Sequence, residues 1–430
     1  MYIRKIEIEN IRSIGHFEMT FPEGKEAGWH VLIGDNGSGK STIVRSTALG
    51  LLGSEDLFAL RENWNNWKKT ESLKGEIKIK IIKDEGFDKG IKVDQSEIQT
   101  KIEFNRMLLS LDNPTYYTTS LSISFPQIYE SVTSRIDLRQ GWFSVAYGPY
   151  RRFTGGNKEK EELYRSHPRL GAHLSIFGED VALSEALSYI QKLYVQKLEK
   201  KIEGEALDYL IHFVNKSQLL PHSAQIDSVD SENVYFRDGN GNRISAIQMS
   251  DGFRSVLSLT FELIRQLIHF YGSNQVFEQI KQGNMIIDLP GVVLVDEIDA
   301  HLHPTWQTRI GQWFLQYFPN LQFIVTTHSP LVCRASEKGS IWRLAAPGST
   351  QPSGEVTGLD RDRLIYGNVL DAYGTEVFGQ EVERSEHSKE KLERLAQLSQ
   401  LNAFGKISEA EKKEMNQLRK ILITDDTTEF

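Results

Sequence analysis

The string Gly34-Asp35-Asn36-Gly37-Ser38-Gly39-Lys40-Ser41-Thr42 follows directly on the apolar run Trp29-His30-Val31-Leu32-Ile33. An apolar run that enters a glycine-rich turn and then meets helix-forming residues fits one local structure, a strand, a loop and a helix. That unit needs parallel strands beside it and helices on the sheet faces, so the chain is restricted to an α/β architecture.

The loop also has a chemistry. Its glycines let consecutive backbone N–H groups from Asn36, Gly37, Ser38 and Gly39 curl around phosphate oxygens. Lys40 reaches the β- and γ-phosphates of a nucleoside triphosphate, the Ser41 hydroxyl ligates Mg²⁺, and Thr42 completes the motif. The helix opened by Lys40 turns the positive end of its dipole toward the same anion. A merely flexible turn would leave the lysine and the hydroxyl unexplained. The expected cofactors are ATP and Mg²⁺.

Composition narrows the setting. The chain has 430 residues, enough for one large core with an added region or for two domains. A net charge of −8 argues against a surface that is a nucleic-acid sleeve throughout, while leaving room for a local basic groove. Cys333 stands alone, which removes disulfide frameworks and cysteine-rich metal sites. The first residues alternate charged and apolar, unlike a secretory signal, and no long uncharged apolar run follows. The expectation is a cytoplasmic protein with no membrane partner.

Residues 1–155 read as the first part of the nucleotide-binding core. Tyr2 to Ile8 and Phe17 to Phe21 have strand periodicity and suggest an antiparallel pair, joined by Glu76 to Ile81, Ile91 to Val93 and Lys101 to Phe104. Residues 156–245 read as a helical insertion, opened by a surface excursion at Gly155 to Glu162. Leu187, Ile190, Tyr194, Leu198 and Ile202 have helical spacing, and Leu207, Ile211 and Val214 resume it past Gly204. Residues 246–380 return to the core with the apolar strands Val292 to Val295 and Phe323 to Thr327, separated by a helix near Thr305 to Phe318. Residues 381–430 read as a helical tail with Leu392, Leu395, Leu398 and Leu401 on one side, either a surface helix or a partner-docking element.

Asp296 and Glu297 end the strand from Val292. Beside a phosphate loop, Asp296 suits a Mg²⁺ shell and Glu297 suits orienting or deprotonating an attacking water; ordinary solvated caps are the competing reading. His328 follows the strand Phe323 to Thr327 and suits contact with a γ-phosphate, against a purely structural histidine. His301 and His303 stand two apart, a spacing that helix geometry does not favour for joint metal ligation.

With these motifs in view, the chain resembles the ABC-type ATPase heads of the SMC, Rad50 and RecF group. Within that group it resembles the compact ATPases of bacterial anti-phage systems, including the Septu ATPases and the overcoming-lysogenization-defect nucleases. The opening Ile6-Glu7-Ile8-Glu9-Asn10-Ile11-Arg12-Ser13-Ile14 matches the first strand and turn. Gly34 to Thr42 matches Walker A, and Val292 to Glu297 matches Walker B with its glutamate. Met249-Ser250-Asp251-Gly252-Phe253-Arg254-Ser255 resembles the signature motif, Ala300 to His303 the D-loop, and His328 the switch histidine. The strings Asp296 to Pro304 and Ala146-Tyr147-Gly148-Pro149-Tyr150-Arg151-Arg152 suggest the Septu-like subgroup.

The resemblance implies an α/β head with a mostly parallel core sheet, an antiparallel β subdomain and the helical insertion. It implies an ATPase with catalytic residues Lys40, Glu297 and His328, in which Ser250, Asp251 and Gly252 close over ATP held by a second head. It also implies a homodimer able to assemble further, a separate HNH-type nuclease effector, and in retron systems a reverse transcriptase and its DNA product. Two departures stand out. No glutamine occupies an evident Q-loop, so Tyr147 to Arg152 is the candidate neighbourhood, with Arg151 or Arg152 contacting phosphate, a partner or a surface carboxylate. Asp360-Arg361-Asp362 has the spacing of a Toprim nuclease pair but lies in a polar stretch with little chain after it, so intrinsic nuclease activity is not expected. The alternative function is a RecF-like DNA-repair ATPase that binds DNA directly.

Overall fold

A computed structural model describes residues 1–70, 72–88, 97–108, 117–124, 142–151, 166–178, 184–349, 352–369, 372 and 386–422. The expectations for Ile91 to Val93, for Arg152 and for Gly155 to Glu162 lie outside them. The chain divides into two compact units, Met1–Tyr366 and Gly367–Phe430.

The first unit begins with a hairpin, β1 (Tyr2–Ile11) and β2 (Ile14–Thr20). Its alternating pattern buries Ile3, Ile6 and Ile8 on one face and leaves Lys5, Glu7 and Glu9 on the other. The fully buried β3 (Gly28–Ile33) leads into the glycine loop and α1 (Lys40–Leu51). Three further antiparallel strands, β4 (Lys74–Ile82), β5 (Glu97–Leu108) and β6 (Tyr117–Ser124), extend the hairpin into a sheet ordered β2-β1-β4-β5-β6. Registers such as Ile6↔Ile79 and Ile77↔Ile102 keep these isoleucines on the inner face. Ten of the twelve α1 residues are buried, because the helix lies between this sheet and the core sheet. Ile43, Val44 and Leu49 of α1 share one apolar cluster with Ile79 and Ile81 on one side and Leu32, Leu294 and Ile324 on the other.

After β7 (Ser144–Tyr147), the stretch read as a helical insertion carries α2 (Ser184–Leu198) and α3 (Ala206–Lys216). A 3₁₀ turn at Ile202–Glu205 separates the two. Leu187, Ile190, Leu207 and Val214 are buried as their spacing predicts, whereas Leu198 and Ile202 are exposed. The same stretch also holds a three-stranded sheet that the sequence reading did not include, β8 (Gln225–Val229), β9 (Val234–Arg237) and β10 (Arg243–Ser245). Its signal lay in the turns. Asp230 Oδ1 accepts from the Glu232 and Asn233 amides, and Asp238 Oδ1 from those of Asn240 and Asn242.

The long helix α4 (Asp251–Tyr271) then runs to the core strand β11 (Gly291–Val295), followed by α5 (Pro304–Tyr317), β12 (Leu321–Thr327), β13 (Gly339–Arg343) and β14 (Gly354–Glu355). The core sheet is ordered β14-β13-β3-β12-β11-β7, parallel except for β14. β12 thus lies between the strand that feeds the glycine loop and the strand that carries Asp296. α6 (Gly358–Tyr366) closes the unit, and the Asp360-Arg361-Asp362 string sits in that helix rather than at a strand end.

The second unit contains a helical hairpin of α7 (Glu386–Ala403) and α8 (Glu409–Leu422). Leu395, Leu398, Met415 and Leu422 form its small core, and Arg394 pairs with both oxygens of Glu414 at 3.0 Å. Ser408 and Glu411 make a reciprocal cap ahead of α8.

Candidate nucleotide site

The carboxyl ends of parallel strands in an open α/β sheet form a crevice where the chain crosses to opposite sides, and that is where such sheets hold ligands. Here the ends of β3, β12 and β11 stand side by side. They deliver the glycine loop, His328 and the Asp296–Glu297 pair to one edge.

Gly37 and Gly39 have φ of 78° and 97°, in the left-handed region that side chains resist, so the loop curls as the glycines permit. Gly39 is the N-cap of α1, and no side chain occupies the helix's free amides there. Lys40 is buried, with Nζ donating to the loop carbonyls of Gly34 at 2.7 Å and Asp35 at 2.9 Å. Burial lowers its pKa, against the opposing pull of the carboxylates of Asp296, Glu297, Asp35 and Asp299. The Ser38 hydroxyl is buried with no hydrogen-bond partner among the described residues, while Asp35, Asn36 and Gly37 are exposed. A left-handed glycine loop opening a helix N-terminus, around a buried ammonium and a buried hydroxyl, fits a polyphosphate.

Asp296 is 1% exposed at the end of β11. Its Oδ1 accepts from Thr326 Oγ1 at 2.6 Å, and the same hydroxyl accepts from the Glu297 amide at 2.7 Å. Thr326 therefore fixes both acidic residues, a role its place in an apolar strand did not reveal. Glu297 has φ of 48°, costly for a residue with a side chain and typical of functional positions held by their surroundings. Ser41 and Asp296 are the donors available for Mg²⁺, which is commonly held by one or two protein oxygens with phosphate and water completing the shell.

His328 is exposed at the end of β12, and its amide donates to Asp299 Oδ2 at 3.4 Å. The other oxygen of Asp299 is buried with no hydrogen-bond partner among the described residues. Ser250 is the N-cap of α4 and exposed, and its hydroxyl makes no capping bond. Asp251 is exposed and ion-paired to Arg254. Gly252 packs so closely on the Ala300–His303 segment that a Cβ there would stand 2.8 Å from the His301 carbonyl oxygen. Arg151, for which contact with phosphate, a partner or a surface carboxylate was expected, is 4% exposed and turned inward. It donates to four carbonyls and to the Ser255 hydroxyl.

A glycine-rich phosphate loop after a buried parallel strand, with an acidic pair at the end of a nearby strand, is the arrangement of a P-loop nucleotide-binding fold. A family model described as "AAA ATPase domain" matches residues 1–169, and one described as "AAA domain, putative AbiEii toxin, Type IV TA system" matches 151–334. The Septu protein PtuA of Bacillus mycoides (strain KBAB4) is 28% identical over 348 residues, 79% of this chain and 40% of that protein. The protein named Retron Vc95 probable ATPase, of Vibrio cholerae serotype O1 biovar El Tor, is 27% identical over 376 residues, 77% of this chain and 71% of that one. This chain thus spans less than half the length of the Bacillus relative. Among solved structures, an Smc head bound to the C-winged helix domain of ScpA aligns with a TM-score of 0.47 at 16% identity, over 84% of this chain and 98% of that one. Matches to AAA domains thus run along residues 1–334, and Septu PtuA and the retron ATPases are among the sequence relatives. Among the described residues, no helix is long and apolar enough to cross a membrane.

Proposed function

We propose that this ATPase is the sensor and regulator subunit of a bacterial anti-phage defence complex. It works as a head-to-tail dimer that sandwiches ATP, and it controls a separate nuclease effector, of HNH type by family resemblance. The observation that carries the dimer is Ser250. An exposed N-cap serine whose hydroxyl is left out of its own helix cap is a ready donor for an anion brought by a second copy.

In this reading Asn36 to Thr42 bind the phosphates, Lys40 turns from its own loop carbonyls to the β- and γ-oxygens, and Ser41 and Asp296 hold Mg²⁺. Glu297 orients or deprotonates the attacking water, and His328 reads whether a γ-phosphate is present. Bound Mg²⁺-ATP supplies the phosphoanhydride and the charge that donors from both heads neutralise. Hydrolysis removes that shared charge and shifts the population from closed to open heads.

A chain that loads on DNA by itself is less well supported. Lys5, Lys74, Lys78 and Lys101 on the outer face of the antiparallel sheet are paired with Glu7, Glu18, Glu76 and Glu103. A face of alternating charge gives little of the counterion release that drives phosphate-backbone binding. The test is to co-purify the chain with products of neighbouring genes and assay DNA cleavage with and without ATP. ATP-dependent cleavage that needs both partners supports the regulator, whereas salt-dependent DNA binding by the isolated chain supports the repair reading.

A further inference from the structure

A buried guanidinium with no carboxylate partner among the described residues calls for a structural or functional explanation. Arg151 has five N–H donors, and each has an acceptor. Nε donates to Ser255 Oγ at 3.1 Å. One terminal nitrogen donates to the carbonyls of Gly148 at 3.0 Å and Asp296 at 2.8 Å, the other to those of Glu297 at 2.8 Å and Ile298 at 3.3 Å. Those acceptors belong to three elements that meet at the nucleotide site. Gly148 follows β7, residues 296–298 leave β11, and Ser255 lies in the second turn of the signature helix α4.

The placement is specific. The carbonyls of three consecutive residues, Asp296 to Ile298, converge on one planar group across the point where Glu297 adopts φ of 48°. Backbone strain of that kind persists where the surroundings over-determine it. A second link ties the same two regions together, because Gly252 abuts the His301 carbonyl. α4 and the segment that carries Glu297 are therefore joined at two points, Gly252 and Ser255, in the first two turns of the helix.

We propose that Arg151 is a positioning residue that locks the signature helix to the backbone of Glu297, so that engagement of Ser250 at the partner's nucleotide sets the glutamate in the head's own site. The inference rests on the sandwiched-dimer reading. Lysine cannot replace the arginine, since three donors on one nitrogen cannot reach five acceptors spread around a planar fork.

The experiment compares wild type, Ser255→Ala, Arg151→Lys and the double variant. Affinity is measured with a fluorescent ATP analogue and turnover by phosphate release, expressed per nucleotide-bound head. Ser255→Ala is expected to bind the analogue within about twofold of wild type and to turn over about tenfold more slowly, a split between binding and chemistry that general loosening would not give. Adding Ser255→Ala to Arg151→Lys should change turnover by less than about twofold, because the link is already cut. Wild-type turnover in Ser255→Ala, or losses that multiply in the double variant, would overturn the proposal. If Arg151→Lys does not fold, the turnover of Ser255→Ala decides alone. A wild-type chain that stays monomeric with ATP would instead remove the dimer reading beneath it.

Discussion

The Thr326 hydroxyl joins Asp296 and Glu297: it donates to Asp296 Oδ1 at 2.6 Å while accepting from the Glu297 amide at 2.7 Å. Parallel pairing of β11 with β12, in register Val295↔Val325, puts the threonine opposite the aspartate. With its only proton committed, the hydroxyl fixes one carboxylate oxygen and the backbone turn after it. Thr326→Val keeps the shape and removes both bonds, orphaning the buried Asp296 oxygen at about 1–3 kcal/mol and freeing the part-buried Glu297 amide at less. Turnover should fall by about tenfold or more, with Thr326→Ser largely restored. Steady-state phosphate release beside a urea denaturation curve checks this, and wild-type turnover in the valine variant would count against it.

Lys40 spends its ammonium on the carbonyls of Gly34 and Asp35, within the electrostatic reach of Asp296 and Glu297. Removing a buried cation from an anion site loses charge-assisted hydrogen bonds worth about 1.5–3 kcal/mol each. ATP affinity in Lys40→Ala should therefore drop by about two orders of magnitude, read by calorimetric titration in Mg²⁺ buffer. Equal affinity in the variant and wild type would remove the lysine from the site.

Glu297→Gln keeps the size of the side chain and its backbone bonds to Thr326 and Arg151 but cannot accept a proton from water. Binding should persist while turnover falls by about 10²–10⁴-fold, the usual reach of one general base. The bound dimer should then outlast dilution, visible by light scattering with ATP present. Hydrolysis at the wild-type rate would refute the assignment.

How much of this could be read from the residues follows from the kind of signal each leaves. Gly34 to Thr42 is contiguous, so the loop and its helix were legible at once. The β1–β2 hairpin was legible because burial of Ile6, Ile8, Phe17 and Met19 imposes a period of two. Thr326 and Arg151 were not. Thr326 is one small residue in an apolar strand, and its partners lie across the sheet. Arg151 precedes four of its five acceptors by more than a hundred residues, and its place beside Arg152 left contacts to phosphate, a partner or a surface carboxylate open. Only the tertiary arrangement shows that it is enclosed by carbonyls. The β8–β10 sheet was missed for another reason: its strands are too short for periodicity, and the Asp230 and Asp238 turns that shape them were outweighed by the helical spacing upstream.

A pH effect follows from His30, which is 1% exposed on β3. Nε2 lies 2.9 Å from the Glu26 carbonyl, so it carries the proton, and Nδ1 accepts from Ser340 Oγ at 2.8 Å. Phe21 meets the ring edge-on, with centroids 4.6 Å apart. Burial pushes the imidazole down to about 4 from 6.5, despite the Glu26 carbonyl, which favours the protonated form. Between those values the unfolded chain binds a proton that the folded chain refuses. Stability from this residue is thus full above pH 6.5, declines as the pH falls, and levels off below about 4. From pH 7 to pH 5 the loss is about 2 kcal/mol. His173, also buried and lowered to about 4, adds a parallel contribution. Urea midpoints of wild type and His30→Gln at pH 7 and pH 5 separate the two, since the variant should lose about 2 kcal/mol less across that interval whatever its stability at pH 7. An identical pH dependence in both proteins would show that His30 is protonated in the fold and that the Glu26 and Ser340 bonds are not those of a neutral ring.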